Sequence, residues 1–228
     1  MSILPKNEPN EVDLTPRVFV FRGDAMSGKT YQAIRFPSPI LINTDGNCKK
    51  VDTPSIYLND AKYKTYKEKL ETLFGALKEL NETETPFKTI IIDLAEDIDE
   101  ICVRYVLEKY NVKNLSDVKG YATGYIERKN NFNNIVSALK TLSSKYYIVF
   151  ITHTVQKIID DKIEIISMLK EDLYNNLTGQ ADLIVDCKKI GAITYQSKIL
   201  KYRNNYKEQS VQEKCKDKSI LDIIKDYQ

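Results

Sequence analysis

Residues 23–30 read Gly23-Asp24-Ala25-Met26-Ser27-Gly28-Lys29-Thr30, and they meet every fixed position of the pattern G-x-x-x-x-G-K-[ST]. The flanks agree with it. Val18-Phe19-Val20-Phe21 ahead of the stretch is a short apolar run of the kind a buried parallel strand carries, and Tyr31-Gln32-Ala33-Ile34 behind it can start a helix. A strand, a glycine loop and a helix N-terminus together make an anion cradle, because unpaired backbone N–H groups and the helix dipole point at one spot. Lys29 brings a positive charge for the outer phosphates and Thr30 a hydroxyl for Mg²⁺. The expected nucleotide-binding segment is therefore Gly23, Asp24, Ala25, Met26, Ser27, Gly28, Lys29, Thr30 and Tyr31.

Working outward, residues 1–16 hold Pro5, Pro9 and Pro16 among polar residues and read as an N-terminal arm. A first strand is expected at 17–22, then the loop, then a helix of about two turns that Pro37 and Pro39 end. Ile40-Leu41-Ile42-Asn43-Thr44 is a second strand running into Asp45-Gly46-Asn47. Over 61–81 the helical period is clear, with Tyr66, Leu70, Leu73, Phe74, Leu77 and Leu80 on one face. A third strand is expected at 88–94, helices at 96–110 and 121–143, and a fourth strand at 146–152 with His153 at its end. Beyond 154 the pattern changes to two strand pairs: a hairpin of 155–159 with 163–169 turning at Asp160-Asp161-Lys162, then 181–186 with 193–202. Residues 207–228 form a tail with a short amphipathic segment at 220–224.

Strand–helix alternation through residue 153 predicts an α/β fold with a mostly parallel central sheet flanked by helices and antiparallel C-terminal strands, one domain over 17–206. Ligands in such sheets lie at the carboxyl ends of the strands. Asp45, Asp93 and His153 each follow an apolar strand at that edge, so they are expected to converge near the loop. Asp93, after Ile90-Ile91-Ile92, is the expected Mg²⁺ acid alongside Thr30. Hydrolysis also needs a group that orients or deprotonates water. Asp45, at a strand end, is preferred for this over Glu96, which follows Asp93 by three positions. His153 is a candidate sensor of the terminal phosphate.

Composition excludes more than it selects. With 34 Lys and Arg against 32 Asp and Glu, the net charge is +2, too even to imply a polyanionic partner. Cys48, Cys102, Cys187 and Cys215 are widely spaced, which argues against a zinc site or disulfide framework, and the single histidine excludes a multi-histidine metal centre. No secretory signal or membrane-spanning run is read from the sequence, so a soluble cytoplasmic protein is expected. Locally, however, 187–207 carries Lys188, Lys189, Lys198, Lys201, Arg203 and Lys207 without an acid, interleaved with Tyr195, Tyr202 and Tyr206. Cations for phosphates and rings for unpaired bases suit single-stranded nucleic acid; the same lysines also suit a solvated sheet edge. Arg203 or Lys201 can alternatively reach a neighbouring subunit's nucleotide as a finger.

These pieces resemble RecA-like P-loop ATPases and, within them, the phage-encoded nucleotide-binding proteins of the Sak type, an AAA-type phage NTPase group tied to single-strand annealing and recombination. The resemblance is carried by the 23–30 loop, by Ile42-Asn43-Thr44-Asp45-Gly46 and Thr89-Ile90-Ile91-Ile92-Asp93, by Gly120-Tyr121-Ala122-Thr123-Gly124-Tyr125 ahead of a long helix, by Phe150-Ile151-Thr152-His153, and by 176–182 returning into the last strands. It spans about 17–205. It implies ATP and Mg²⁺ as cofactors, ATP hydrolysis, single-stranded DNA as client, assembly into a ring or filament, and a single-strand-binding protein as a further partner. Where the family usually places a glutamate this chain has Asp45, one methylene shorter, which implies slow hydrolysis or use of ATP as an assembly switch. A slight similarity of 26–30 to thymidine kinases implies a nucleoside kinase instead, but the cysteine-ligated zinc domain usual in those enzymes is missing.

Overall fold

The computed structural model of the chain describes residues 7, 15–46, 51–192, 194–203 and 218–225. Most of the arm, Asn47, Cys48, Ile193, Tyr206, Lys207 and Cys215 lie outside the described residues. Eight strands occur among those described: β1 (Val18–Gly23), β2 (Pro39–Asn43), β3 (Ser55–Tyr57), β4 (Thr89–Asp93), β5 (Tyr147–Ile159), β6 (Lys162–Ser167), β7 (Leu183–Lys189) and β8 (Tyr195–Tyr202). The helices are α1 (Lys29–Ala33), α2 (Tyr66–Glu82), α3 (Ala95–Tyr110), α4 (Thr123–Leu142), α5 (Glu171–Gln180) and α6 (Ile220–Lys225).

The sheet runs β3-β2-β4-β5-β1-β7-β8, with β6 paired to β5 off this path. Pairings from β3 through β7 are parallel, and β8 closes the edge antiparallel to β7. The expected α/β P-loop NTPase fold is thus present. Its central strands β1, β2 and β4 are apolar on both faces because both are covered. Val18 and Val20 face one core layer with Leu73 of α2, Ile98 of α3, Phe132 of α4 and Leu177 of α5. Phe19 and Phe21 face the other, with Ala33, Phe36 and Ile220. The leucines predicted on one face of α2 are the buried ones, and Leu73 is 1% exposed. Each such side chain stabilises the fold by about 1.5–3 kcal/mol. α2 starts where Thr65 and Glu68 form a reciprocal capping box, which satisfies two otherwise orphaned N–H groups. α3 stops at Asn111, whose left-handed backbone (φ 50°) ends the helical run.

Several expectations change. α1 is five residues long rather than two turns, with a turn before Pro37. β5 does not stop at residue 152: its parallel part reaches His153 opposite Gly23, and it continues to Ile159 in an antiparallel ribbon with β6. The expected hairpin turns at Asp160 and Asp161, both with positive φ, the geometry a two-residue turn requires. β3 and α5 are additions. No helix among the described residues is long and apolar enough to cross a membrane.

Candidate active site

The phosphate loop takes its shape from two close approaches. A β-carbon on Gly23 would lie 2.2 Å from the Cys187 carbonyl of β7. Gly28 adopts φ +84°, and its β-carbon would lie 2.7 Å from the Tyr195 ring. Between them Ser27 N donates to Asp24 O over 3.2 Å. Lys29 is folded back into the loop, donating to Gly23 O (2.8 Å) and Asp24 O (2.7 Å), and is 5% exposed. Burial pushes its ammonium below the usual lysine range, against the opposing pull of nearby Asp93, Glu96 and Asp24. Burial also pushes the Cys187 thiol up to about 12, so it stays neutral beside Lys29. The loop borders a cleft of about 910 Å³ that also takes in Asp45, Asp93, His153, Tyr31, Lys189 and Tyr195.

Asp93 and Thr30 meet directly, Thr30 Oγ1 donating to Asp93 Oδ2 over 2.8 Å. β4 delivers the carboxylate and α1 the hydroxyl, and Asp93 is 4% exposed. Two hard oxygens side by side at a phosphate loop fit Mg²⁺, which takes one or two protein oxygens and completes its shell with phosphate and water. Around them Thr44 Oγ1 accepts from Leu94 N and lies 2.8 Å from Asp97 Oδ2, pinning the end of β2 to the start of α3. Asp97 was not foreseen. Burial raises its carboxyl above the usual aspartate range, the Thr44 bond pulls it down, and the charges of Glu96 and Asp45 add to the rise. The acid run Asp93, Glu96, Asp97 was its only sequence signal.

The structure separates the two water-activating candidates. Glu96, in the first turn of α3, holds His153 twice: its Oε1 accepts from His153 N at 2.9 Å and from His153 Nδ1 at 2.7 Å, the ring nitrogen donating because a carboxylate only accepts. Its other oxygen, Oε2, is buried and finds no hydrogen-bond partner among the described residues. Asp45 is exposed at the cleft wall and accepts from Asn43 Nδ2 at 2.9 Å. Beyond His153, Thr154 Oγ1 donates to Asp24 Oδ1 at 2.9 Å, and Met168 N donates to His153 O at 2.8 Å. The β5–β6 ribbon is therefore bonded both to the loop and to the histidine.

The basic stretch is divided between the two faces of the β7–β8 edge. Side chains alternate across strands, and the register divides them. Lys189 and Tyr195 pair with each other on the face that carries α1, and both border the nucleotide cleft. Tyr202, opposite Leu183, packs against that same core layer. Lys188, Lys198 and Lys201 take the opposite face, aligned with Asp186 and Ile184. Lys188 is paired with Asp186 at 3.4 Å, an acid also held by Arg22 at 3.2 Å. Arg203 is engaged within its own chain, bonding Ala181 O at 3.2 Å and Gly179 O at 2.5 Å and facing Asp182 at 3.1 Å. Its guanidinium ties β8 to the α5–β7 junction while the side chain stays 44% exposed. Lys201 stays exposed.

A protein-family model for the AAA domain matches residues 15–210. The chain belongs to the AAA domain family. A comparison with curated proteins gives no match. As an AAA domain protein it carries a nucleotide-binding P-loop site, and the matched span takes in all the strands described above together with α1 through α5. Nucleotide and Mg²⁺ are the general cofactors of such domains. The match ends before α6, which packs on the sheet through Ile220 and Ile223.

Proposed function

We propose that this AAA domain protein is a Mg²⁺-dependent ATPase whose nucleotide state sets its grip on single-stranded DNA, in the manner of the phage Sak-type annealing and recombination proteins. The observation that carries this reading is the bond between Thr154 and Asp24, because it couples a protruding ribbon to the loop that would hold the phosphates. Thr30 and Asp93 would hold Mg²⁺, whose charge would offset that of the phosphates. Lys29 exchanges its bonds to Gly23 O and Asp24 O for phosphate oxygens, trading neutral acceptors for charged ones. Asp45 accepts the proton of the attacking water from the open side of the cleft. Glu96 fixes His153, and through it the start of the ribbon. The client surface is the ribbon together with Lys188, Lys198 and Lys201, one basic face of the β7–β8 edge. In a ring or filament, Lys201 or Arg203 would act as the finger on a neighbouring site.

A second reading is a nucleotide switch with little turnover. It is favoured by Asp45, which is short, exposed and already bonded to Asn43. Anisotropy of a labelled oligonucleotide, at low salt with and without ATP and Mg²⁺, tests the main proposal. Affinity that changes with nucleotide supports it, and no binding in either condition overturns it. Annealing of complementary strands then tests the recombination assignment.

A further inference from the structure

The geometry points to Tyr195 as the wall against which the nucleobase stacks, a subsite on the β7–β8 side of the phosphate loop. This inference rests on the nucleotide reading above. The sheet order supplies its first premise. On one side of β1 lie β5, β4 and β2, which bring His153, Asp93 and Asp45 to the cleft. A triphosphate whose terminal phosphate meets those groups must lead its base the other way, toward β7 and β8.

What waits there is aromatic. Tyr195 stands opposite Lys189 at the start of β8 and borders the same cleft as the loop. Its ring approaches Gly28 so closely that only a residue without a β-carbon fits between loop and ring. Tyr31, the residue after the loop threonine, lies 6.1 Å from Tyr195 by ring centroids at a 38° tilt. Arg35 stands 4.1 Å over the Tyr31 ring and holds it by a cation–π contact on one face. Even so, Tyr195 is 39% exposed and Tyr31 50% exposed. Both rings keep open surface facing a cleft whose floor is the phosphate loop. The sequence had set Tyr195 among nucleic-acid contacts, but Lys198 and Lys201 point to the opposite sheet face.

Stacking of a base on an aromatic side chain is worth about 5- to 150-fold in affinity. The test is competition binding in Mg²⁺ with ADP and with inorganic tripolyphosphate, which has no base. The proteins are the full chain and its Tyr195→Leu, Tyr195→Phe and Lys29→Ala variants. Tyr195→Leu keeps apolar bulk against Gly28 but removes the π face. It should weaken ADP about 5- to 150-fold while leaving tripolyphosphate within about 2-fold, and Tyr195→Phe should restore ADP. Unchanged ADP affinity in Tyr195→Leu, or equal losses for both ligands, overturns the inference. If wild type binds tripolyphosphate and Lys29→Ala does not, the phosphate site stands whatever Tyr195 does. If wild type binds neither ligand, the nucleotide reading falls and takes the subsite with it.

Discussion

Thr154 and Asp24 are joined by a 2.9 Å hydrogen bond that bridges the base of the β5–β6 ribbon and the second residue of the phosphate loop. Thr154 is 8% exposed, so replacing it with the isosteric Val removes the donor at little steric cost. The expected loss of stability is about 0.5–1.5 kcal/mol. ATP affinity should stay within a few-fold, whereas the nucleotide dependence of oligonucleotide binding should shrink. Anisotropy titrations of Thr154→Val that show the wild-type response to ATP would remove the ribbon from the coupling.

Lys29, Thr30 and Asp93 make separable contributions. Lys29→Ala should lower ATP affinity at least ~100-fold with or without Mg²⁺, since a buried cation facing phosphate is lost. Asp93→Asn keeps the size but gives up the charged oxygen beside Thr30 Oγ1. It should abolish the gain in affinity that Mg²⁺ gives and leave Mg²⁺-free binding largely intact. Calorimetric titration at several Mg²⁺ concentrations distinguishes the two patterns.

Turnover separates Asp45 from Glu96. Asp45→Ala should slow hydrolysis about 10²- to 10⁴-fold with ATP binding preserved, the range a positioned general base supplies. Glu96→Ala should retain most turnover but release His153, which the carboxylate now holds through both its backbone and its ring. Single-turnover rates in which Glu96→Ala is the slower variant would move the base to Glu96.

Asp97 gives the fold a pH dependence of definite sign. Burial raises its carboxyl in the folded state, so between the unfolded and folded pKa values the native chain holds more protons. Stability from this group therefore falls as pH rises through that window, and the penalty persists above the folded value. Asp97→Asn keeps an oxygen for Thr44 and removes the charge. It should melt at or above the wild-type temperature at neutral pH, with the difference vanishing on acidification. Thermal scans across the acid range check it; a gap that widens toward low pH would contradict it.

Away from the site, Arg128 and Asp99 form a buried bidentate pair between α4 and α3, with Nε–Oδ1 at 2.6 Å and Nη2–Oδ2 at 2.7 Å. Arg128 is 4% exposed. Arg128→Met leaves the carboxylate buried and unpaired, at a cost of about 3–5 kcal/mol, or roughly 6–20 °C in Tm for a domain of this size. Calorimetry of the variant tests the value, and nucleotide affinity at low temperature should be unaffected.

How much of this was legible depended on range. The loop could be read because its chemistry is contained in eight adjacent residues, Gly23 to Thr30. Asp93 and His153 could be placed because each ends an apolar run, and parallel strands bring such ends to one edge. The turn at Asp160 and Asp161 announced itself through residue type. The division of the basic stretch did not, because it depends on the pairing of β8 with β7 and on a bulge near Ile184 and Val185, both long-range facts. α5 was missed because Leu173 and Leu177 are its only fully buried side chains, too few to show a period. β3 was missed because three residues of an edge strand carry no alternation to read.

The thirteen residues of β5 extend over about 40 Å without interruption. Their inner half is stitched to β1 on one side and β4 on the other, while the outer half stands away from the sheet in the ribbon. The protruding tip and the floor of the cleft are thus parts of one rod. A load applied at the tip would reach His153, which pairs with Gly23 of the phosphate-loop strand and lies two residues beyond the pairing of Ile151 with Asp93. Mechanical work done at the ribbon and chemical work done on phosphate would share a single backbone, with no joint between them.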